Sequence, residues 1–282
     1  MNKETKKILY EKTVSSIEQN RLFNFRNFWG DSKLRCFEEF RRSADTRCIY
    51  CGGIADTREH IPPKIFLNKP YPDNLFDLPA CKNCNNGFSA DELYSEVFID
   101  TLKTISSYSE KISDNNVVRS QRTTAYNDAK QSYEAYLKTK RFAPNERLNR
   151  VILKLAFGHS VFEVNEGAAA WHDDMLIKKI EIRYRFELND ADIAEFYSPV
   201  FMDGKLLPEI GSRAFHNIYV IEPVDKDSLT SKDIADRQVV TLWTTVQENN
   251  YEYIVWIEHN GIHIKMAIHN FVFTHIILDC YA

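Results

Sequence analysis

Cys48-Ile49-Tyr50-Cys51 and Cys81-Lys82-Asn83-Cys84, with 29 residues between them, decide how the chain folds around them. Each Cys-x-x-Cys pair predicts a tight turn that aims two thiolates at one ion. Two such turns complete a tetrahedral shell of four sulfurs. Gly52-Gly53, directly after the first pair, supplies the backbone freedom such a turn favours. A closed four-thiolate shell leaves no position for substrate, so the expected metal is a structural zinc. Cys36 and Cys280 have no partner at a comparable spacing and read as plain thiols.

Working outward, residues 47–100 are rich in Cys, Gly, Pro and Asn, as in a small unit built from turns. A helix is expected to start at Cys84-Asn85, or just after Ser89-Ala90-Asp91, and to run through Leu93, Val97 and Leu102. Upstream, residues 4–20 and 33–43 carry helical periodicity, with Asp31-Ser32 as an N-cap for the second helix. Downstream, a helix is expected near 126–140, and Leu148, Val151, Ile152, Leu155 and Phe162 give a strong helical stripe between Glu146 and Val164. Beyond residue 177 apolar residues alternate, first at Ile180, Ile182, Tyr184 and Phe186. Further strands are expected around Tyr219–Ile221, Val239–Val246, Tyr253–Ile257, His263–Ile268 and Phe271–Leu278, with Asn260-Gly261 as a hairpin signal. The expected class is α+β: a helical segment over 1–46, a zinc-bound unit over 47–100 and a strand-rich α+β domain over 101–282.

The 282 residues are 44% apolar and include 18 Phe and 14 Tyr, enough for a substantial core and unlike a disordered chain. A formal net charge of −4 gives no global field for a polyanion, so a nucleic-acid site would have to be a local patch or a metal centre. No run approaches the ~18 apolar residues of a membrane span. The charged N-terminus shows no secretion signal, and two Cys-x-x-Cys pairs in such a chain read as metal ligands. A reducing cytoplasm is the expected setting.

Between and after the cysteine pairs lie Glu59-His60-Ile61-Pro62-Pro63-Lys64, then Asn74, then Leu78-Pro79-Ala80-Cys81 and Cys84-Asn85-Asn86. This pattern of an acidic residue beside a His, a later Asn and a polar residue after the second pair resembles the HNH nuclease superfamily. It is closest to a zinc-stabilised HNN variant with an acidic-His-x-Pro-Pro-Lys stretch. The match covers about 50 residues. The resemblance implies a ββα-metal, treble-clef-like unit that hydrolyses phosphodiester bonds, in DNA rather than RNA, leaving 5′-phosphate and 3′-hydroxyl ends. It implies His60 as general base, Asn74 orienting the His60 hairpin, and Glu59 with Asn85 holding one catalytic Mg²⁺ or Mn²⁺. The residue types suit that chemistry, because a neutral imidazole can activate water and a hard divalent ion prefers oxygen ligands. Two departures stand out: the family's usual Asp is Glu59 here, and Asn86 competes with Asn85 as ligand. Arg58, Lys64 and Lys82 are candidate contacts to the nucleic-acid backbone. A homodimer stays open, since nucleases that cut both strands commonly dimerise. Small HNH proteins often belong to restriction or anti-phage systems. The alternative is a zinc-stabilised module that binds nucleic acid or protein without cutting.

Other candidates read as structural. Asp91 and Glu92, one to two turns into the next helix, read either as groups supporting the site from behind its ligands or, in preference, as acids near a helix N-terminus favoured by its dipole. His159 lies on an apolar helix face, and Trp243 and Trp256 lie in alternating strands. His259, His263, His269 and His275 cluster in sequence, but alternation does not put them on one face.

Overall fold

The computed structural model describes residues 48–72, 75–106, 119–164, 177–202, 218–221, 238–258 and 261–279. The chain divides into two units, Met1–Asp45 and Thr46–Ala282, and the described residues belong to the second. The helices expected before residue 46, together with Cys36, Asn74, His259, Asn260 and Cys280, lie outside the described residues.

The architecture is α+β. Strand β1 (Thr57–His60) pairs antiparallel with β2 (Asp77–Ala80), and helix α1 (Lys82–Ile105) follows directly. Helices α2 (Arg119–Thr139) and α3 (Glu146–Val164) come next. A five-stranded antiparallel sheet is then assembled from β3 (Ile177–Tyr184), β7 (Thr244–Gln247), β8 (Tyr251–Glu258), β9 (Gly261–Ile268) and β10 (Val272–Leu278) in the order β3-β10-β9-β8-β7. Between β3 and β7 run the short helix α4 (Asp190–Phe196) and a three-stranded sheet, order β4-β6-β5, of β4 (Val200–Met202), β5 (Ile218–Ile221) and β6 (Gln238–Thr241). No described helix is long and apolar enough to cross a membrane.

Helix α1 starts at Lys82, earlier than either expected start, because Cys81 caps it: its sulfur accepts from the Cys84 amide. The apolar stripe of α3 packs on β8, β9 and β10, while α1 packs on both α2 and α3. One core joins Tyr94, Phe98 and Leu102 of α1, Val151, Ile152 and Leu155 of α3, and Tyr253, Ile264 and Ile276 of the sheet. Phe66, from the β1–β2 connection, belongs to the same core. The boundary expected at residue 100 therefore falls inside a helix whose buried side is shared with the sheet. The opposite sheet face is also covered: Phe196 and Tyr197 pack with Trp243 and Phe273, and Val200 packs by Ile254 and Trp256.

Two details of the strand reading change. The run Val239–Val246 is two strands in different sheets, broken at Leu242-Trp243. The β8–β9 register pairs Glu258 with Gly261, so Gly261 belongs to β9 rather than to the turn. Gly261 is required for another reason: its φ is +142°, and a Cβ there would lie 2.1 Å from the Leu278 carbonyl oxygen.

Helix α3 also comes very close to the segment after β1. A Cβ on Gly158 would sit 2.7 Å from Cδ1 of the fully buried Ile61. Gly158→Ala is therefore expected to lower stability by about 1–3 kcal/mol. Urea denaturation would measure that loss, the gain in helix propensity being the smaller effect.

Candidate metal centre and histidine hairpin

The hairpin is what brings the cysteine pairs together. In the first pair, the Gly52 amide donates to the Cys48 carbonyl at 2.9 Å and the Cys48 amide to the Gly53 carbonyl at 2.7 Å. Gly52 takes φ +65°, a conformation that favours glycine. The Ile49 amide then donates to the Pro79 carbonyl at 3.0 Å, tying this turn to the end of β2, two residues before Cys81. Tyr50 anchors it from beneath, its ring 5.2 Å from Phe88 of α1 and 6.1 Å from Phe157 of α3, centroid to centroid.

The outcome is four free thiols whose sulfurs lie within 4.8 Å of one another. Cys51 and Cys81 are separated by 3.7 Å, far beyond an S–S bond and near the ~3.8 Å edge of a tetrahedron with 2.3 Å zinc–sulfur bonds. The donor set, all thiolate and four in number, fits a metal such as zinc. The Cys84 amide draws the Cys81 thiol pKa down to about 7, while burial pushes the Cys84 thiol up. Among the described residues this is the only group of His, Cys, Asp or Glu placed to hold a metal.

The residues singled out between the cysteine pairs fall on two faces of β1, as the strand period demands. Glu59 is turned inward, 4% exposed, and His60, at the strand's end, is half-buried. The Glu59 carboxylate meets Lys154 of α3, whose Nζ lies 2.7 Å from Oε1 and also contacts Oε1 of Glu92 on α1. Lys154 has no exposed surface. Burial raises the Glu59 pKa, against the opposing pull of Lys154. The second Glu59 oxygen, Oε2, is buried and has no hydrogen-bond partner.

Asn85, in the first turn of α1, reaches back to β1: its Nδ2 lies 3.1 Å from the Arg58 carbonyl and 3.3 Å from Thr57 Oγ1. Asn86 is exposed, so Asn85 is the asparagine that meets the hairpin. Arg58 donates from Nε to Asp77, which makes it a partner of β2 as well as a candidate phosphate contact. Lys64 and Lys82 are exposed; Lys64 sits 5.6 Å from the Tyr71 ring centroid and the Lys82 amide donates to Asp56 at 2.6 Å.

Sequence reasoning missed two residues here and set the weaker of its two readings on a third. Lys154 carried no signal as one charge on an apolar helix. Asp77 stands directly across from His60 in the β1–β2 register, a relation visible only once the strands are paired. Asp91 was misread: it lies well inside α1, not near its N-terminus, and accepts from Arg147 Nε at 2.7 Å and Arg150 Nη1 at 2.9 Å. Asp91 and Glu92 thus receive α3 cations, which outweighs any dipole effect.

The histidines separate as expected, with one exception. His159 is buried, its Nε2 2.9 Å from the Tyr251 hydroxyl, and stacks on Tyr253 at 3.9 Å. His269 contacts Glu96 of α1 at 2.8 Å. His263 and His275 do meet, at 3.1 Å between ring nitrogens, on the sheet face that carries Lys179 and Lys265. Burial lowers both pKa values, that of His275 to about 4.

No protein-family model, no curated protein and no solved structure matches this chain. The motif likeness therefore stands on the residues quoted above alone.

Cys→Ser at any of positions 48, 51, 81 or 84 is expected to remove zinc from the purified chain and to lower its melting temperature. Elemental analysis and differential scanning calorimetry would measure the two effects. Zinc content at the wild-type level in such variants would refute the four-thiolate site.

Proposed function

We propose that this chain is a metal-dependent endonuclease of the HNH type, with residues 48–105 as its ββα-metal unit. The observation that carries this reading is the return contact of Asn85, from the first turn of α1, to the strand that ends on His60. A two-stranded hairpin, a helix opening beside it and a four-thiolate clamp at their junction supply the frame on which the Glu59, His60 and Asn85 motif is carried.

His60 would act as the general base, taking the proton of the attacking water. Asp77, opposite it in register and bonded to Arg58, would orient the imidazole. Glu59 Oε2 and the side-chain oxygen of Asn85 are the groups that would hold Mg²⁺ or Mn²⁺, and the unpartnered state of Oε2 fits that role. When bound, such an ion supplies charge neutralisation at the phosphate and the leaving oxygen. Lys64 and Lys82 are exposed near the hairpin and helix opening, and would contact the substrate backbone. DNA is the proposed substrate, with 5′-phosphate and 3′-hydroxyl products.

A second reading draws on a specific observation. Glu59 and Asn85 both have partners within the fold, as a non-catalytic zinc-stabilised binding module would require. One assay separates the two readings. Zinc-loaded wild type and His60→Ala are incubated with supercoiled plasmid in EDTA, Mg²⁺ or Mn²⁺. The nuclease reading expects metal-dependent nicking that falls by about 10²–10⁴-fold in His60→Ala, with zinc content unchanged. DNA binding by wild type without nicking in any metal would favour the binding module.

A further inference from the structure

Lys154 is a fully buried ammonium that serves two carboxylates, Glu59 and Glu92, and lies 5.0 Å from the Phe88 ring centroid. One carboxylate would neutralise it. Two leave the cluster with a surplus negative charge, and Glu59 Oε2 is buried with no partner. Stability does not call for this arrangement, since apolar side chains often replace buried ion pairs without loss. A surplus charge with one unfilled oxygen suits a cation, and Glu59 directly precedes His60 in β1. Lys154 already occupies Oε1, so an arriving ion has one Glu59 oxygen to take.

Resting on the nuclease reading above, we propose that Lys154 is a positioning residue of its metal site. It holds Glu59 by one oxygen, leaves the other to the divalent ion, and so sets both where the ion sits and how tightly it is held. Helix α3 thereby becomes part of the site although it carries no residue of the motif. The ammonium and the ion repel each other across one carboxylate, so Lys154 weakens ion binding while it orders the ligand. Its removal must move the two properties in opposite directions, which partial unfolding cannot do.

The test uses the zinc-loaded full chain as wild type, Lys154→Met and Lys154→Met/Glu92→Gln. The double variant keeps the cluster's formal charge and so guards against a misfolded single variant. Binding of Mn²⁺ alone is read from the electron paramagnetic resonance of the free ion, and nicking is measured at saturating Mn²⁺. In folded, zinc-bound Lys154→Met, Mn²⁺ is expected to bind about tenfold tighter or more, and in the charge-conserving double variant to bind as wild type does. The saturated nicking rate is expected to fall about a hundredfold, as for a misplaced reacting group. Affinity and rate both staying near wild type would overturn the proposal, as would a parallel loss that tracks the unfolded fraction. Wild type binding no Mn²⁺ beyond its zinc would overturn it too. Tighter Mn²⁺ binding in Lys154→Met, with no nicking even by wild type, would leave the Lys154 placement standing and remove the nuclease reading alone.

Discussion

An ammonium group with no access to water must find its acceptors inside the protein, and meeting that need for Lys154 fixes three elements at once. Its partners are Glu59 of β1 and Glu92 of α1, and the lysine itself rides on α3. Removing one partner from such a cluster leaves a buried charge uncompensated, at a cost of about 3–5 kcal/mol. Other residues of α3 meet the same neighbours. Arg147 and Arg150, upstream on the same helix, reach Asp91 of α1, and Gly158 lets Ile61 approach. Further along, His159 and Glu163 bond the hydroxyls of Tyr251 and Tyr253 in the sheet. One helix thus joins the hairpin to the large sheet through polar contacts set within an apolar interface.

The four cysteines do a complementary task. They fix the N-terminal side of the hairpin and the opening of α1, whereas Lys154 fixes its inner face. Between the two clamps β1 is held over its length: by the Ile49–Pro79 bond before it, by Asn85 along it and by the buried carboxylate beneath it. His60 sits at the end of that strand, half-buried and opposite Asp77 in register, and the next amide, of Ile61, donates to the Phe76 carbonyl. Under the proposed nuclease reading, this end of the strand carries the general base.

What could be read from the sequence was local. The cysteine pairs announce themselves because each pair is a short turn, and α3 matches its apolar stripe from Glu146 to Val164. Strands β8 to β10 follow their alternation, although burial on both faces left the exact turn and the break at Leu242-Trp243 unmarked. What could not be read was long-range pairing of charge. Glu59 and Lys154 are 95 positions apart, and no local pattern says that a lysine in an apolar helix will meet a carboxylate on a distant strand. Asp91 and Glu92 looked like helix-start acids because the start of α1 was set too late, and Asp77 gained meaning only from strand register. The meeting of His263 with His275 was missed for the same reason: adjacency across strands is invisible to spacing along one strand.

If Glu59 serves the proposed catalytic ion, Oε2 is the oxygen that the Lys154 clamp leaves for it. Anomalous diffraction from crystals of the zinc-loaded chain soaked in Mn²⁺ tests it most directly. The account predicts a manganese peak in contact with Glu59 Oε2 while Lys154 still holds Oε1. A Glu59–Lys154 pair left intact with manganese bound elsewhere, or nowhere, would contradict it.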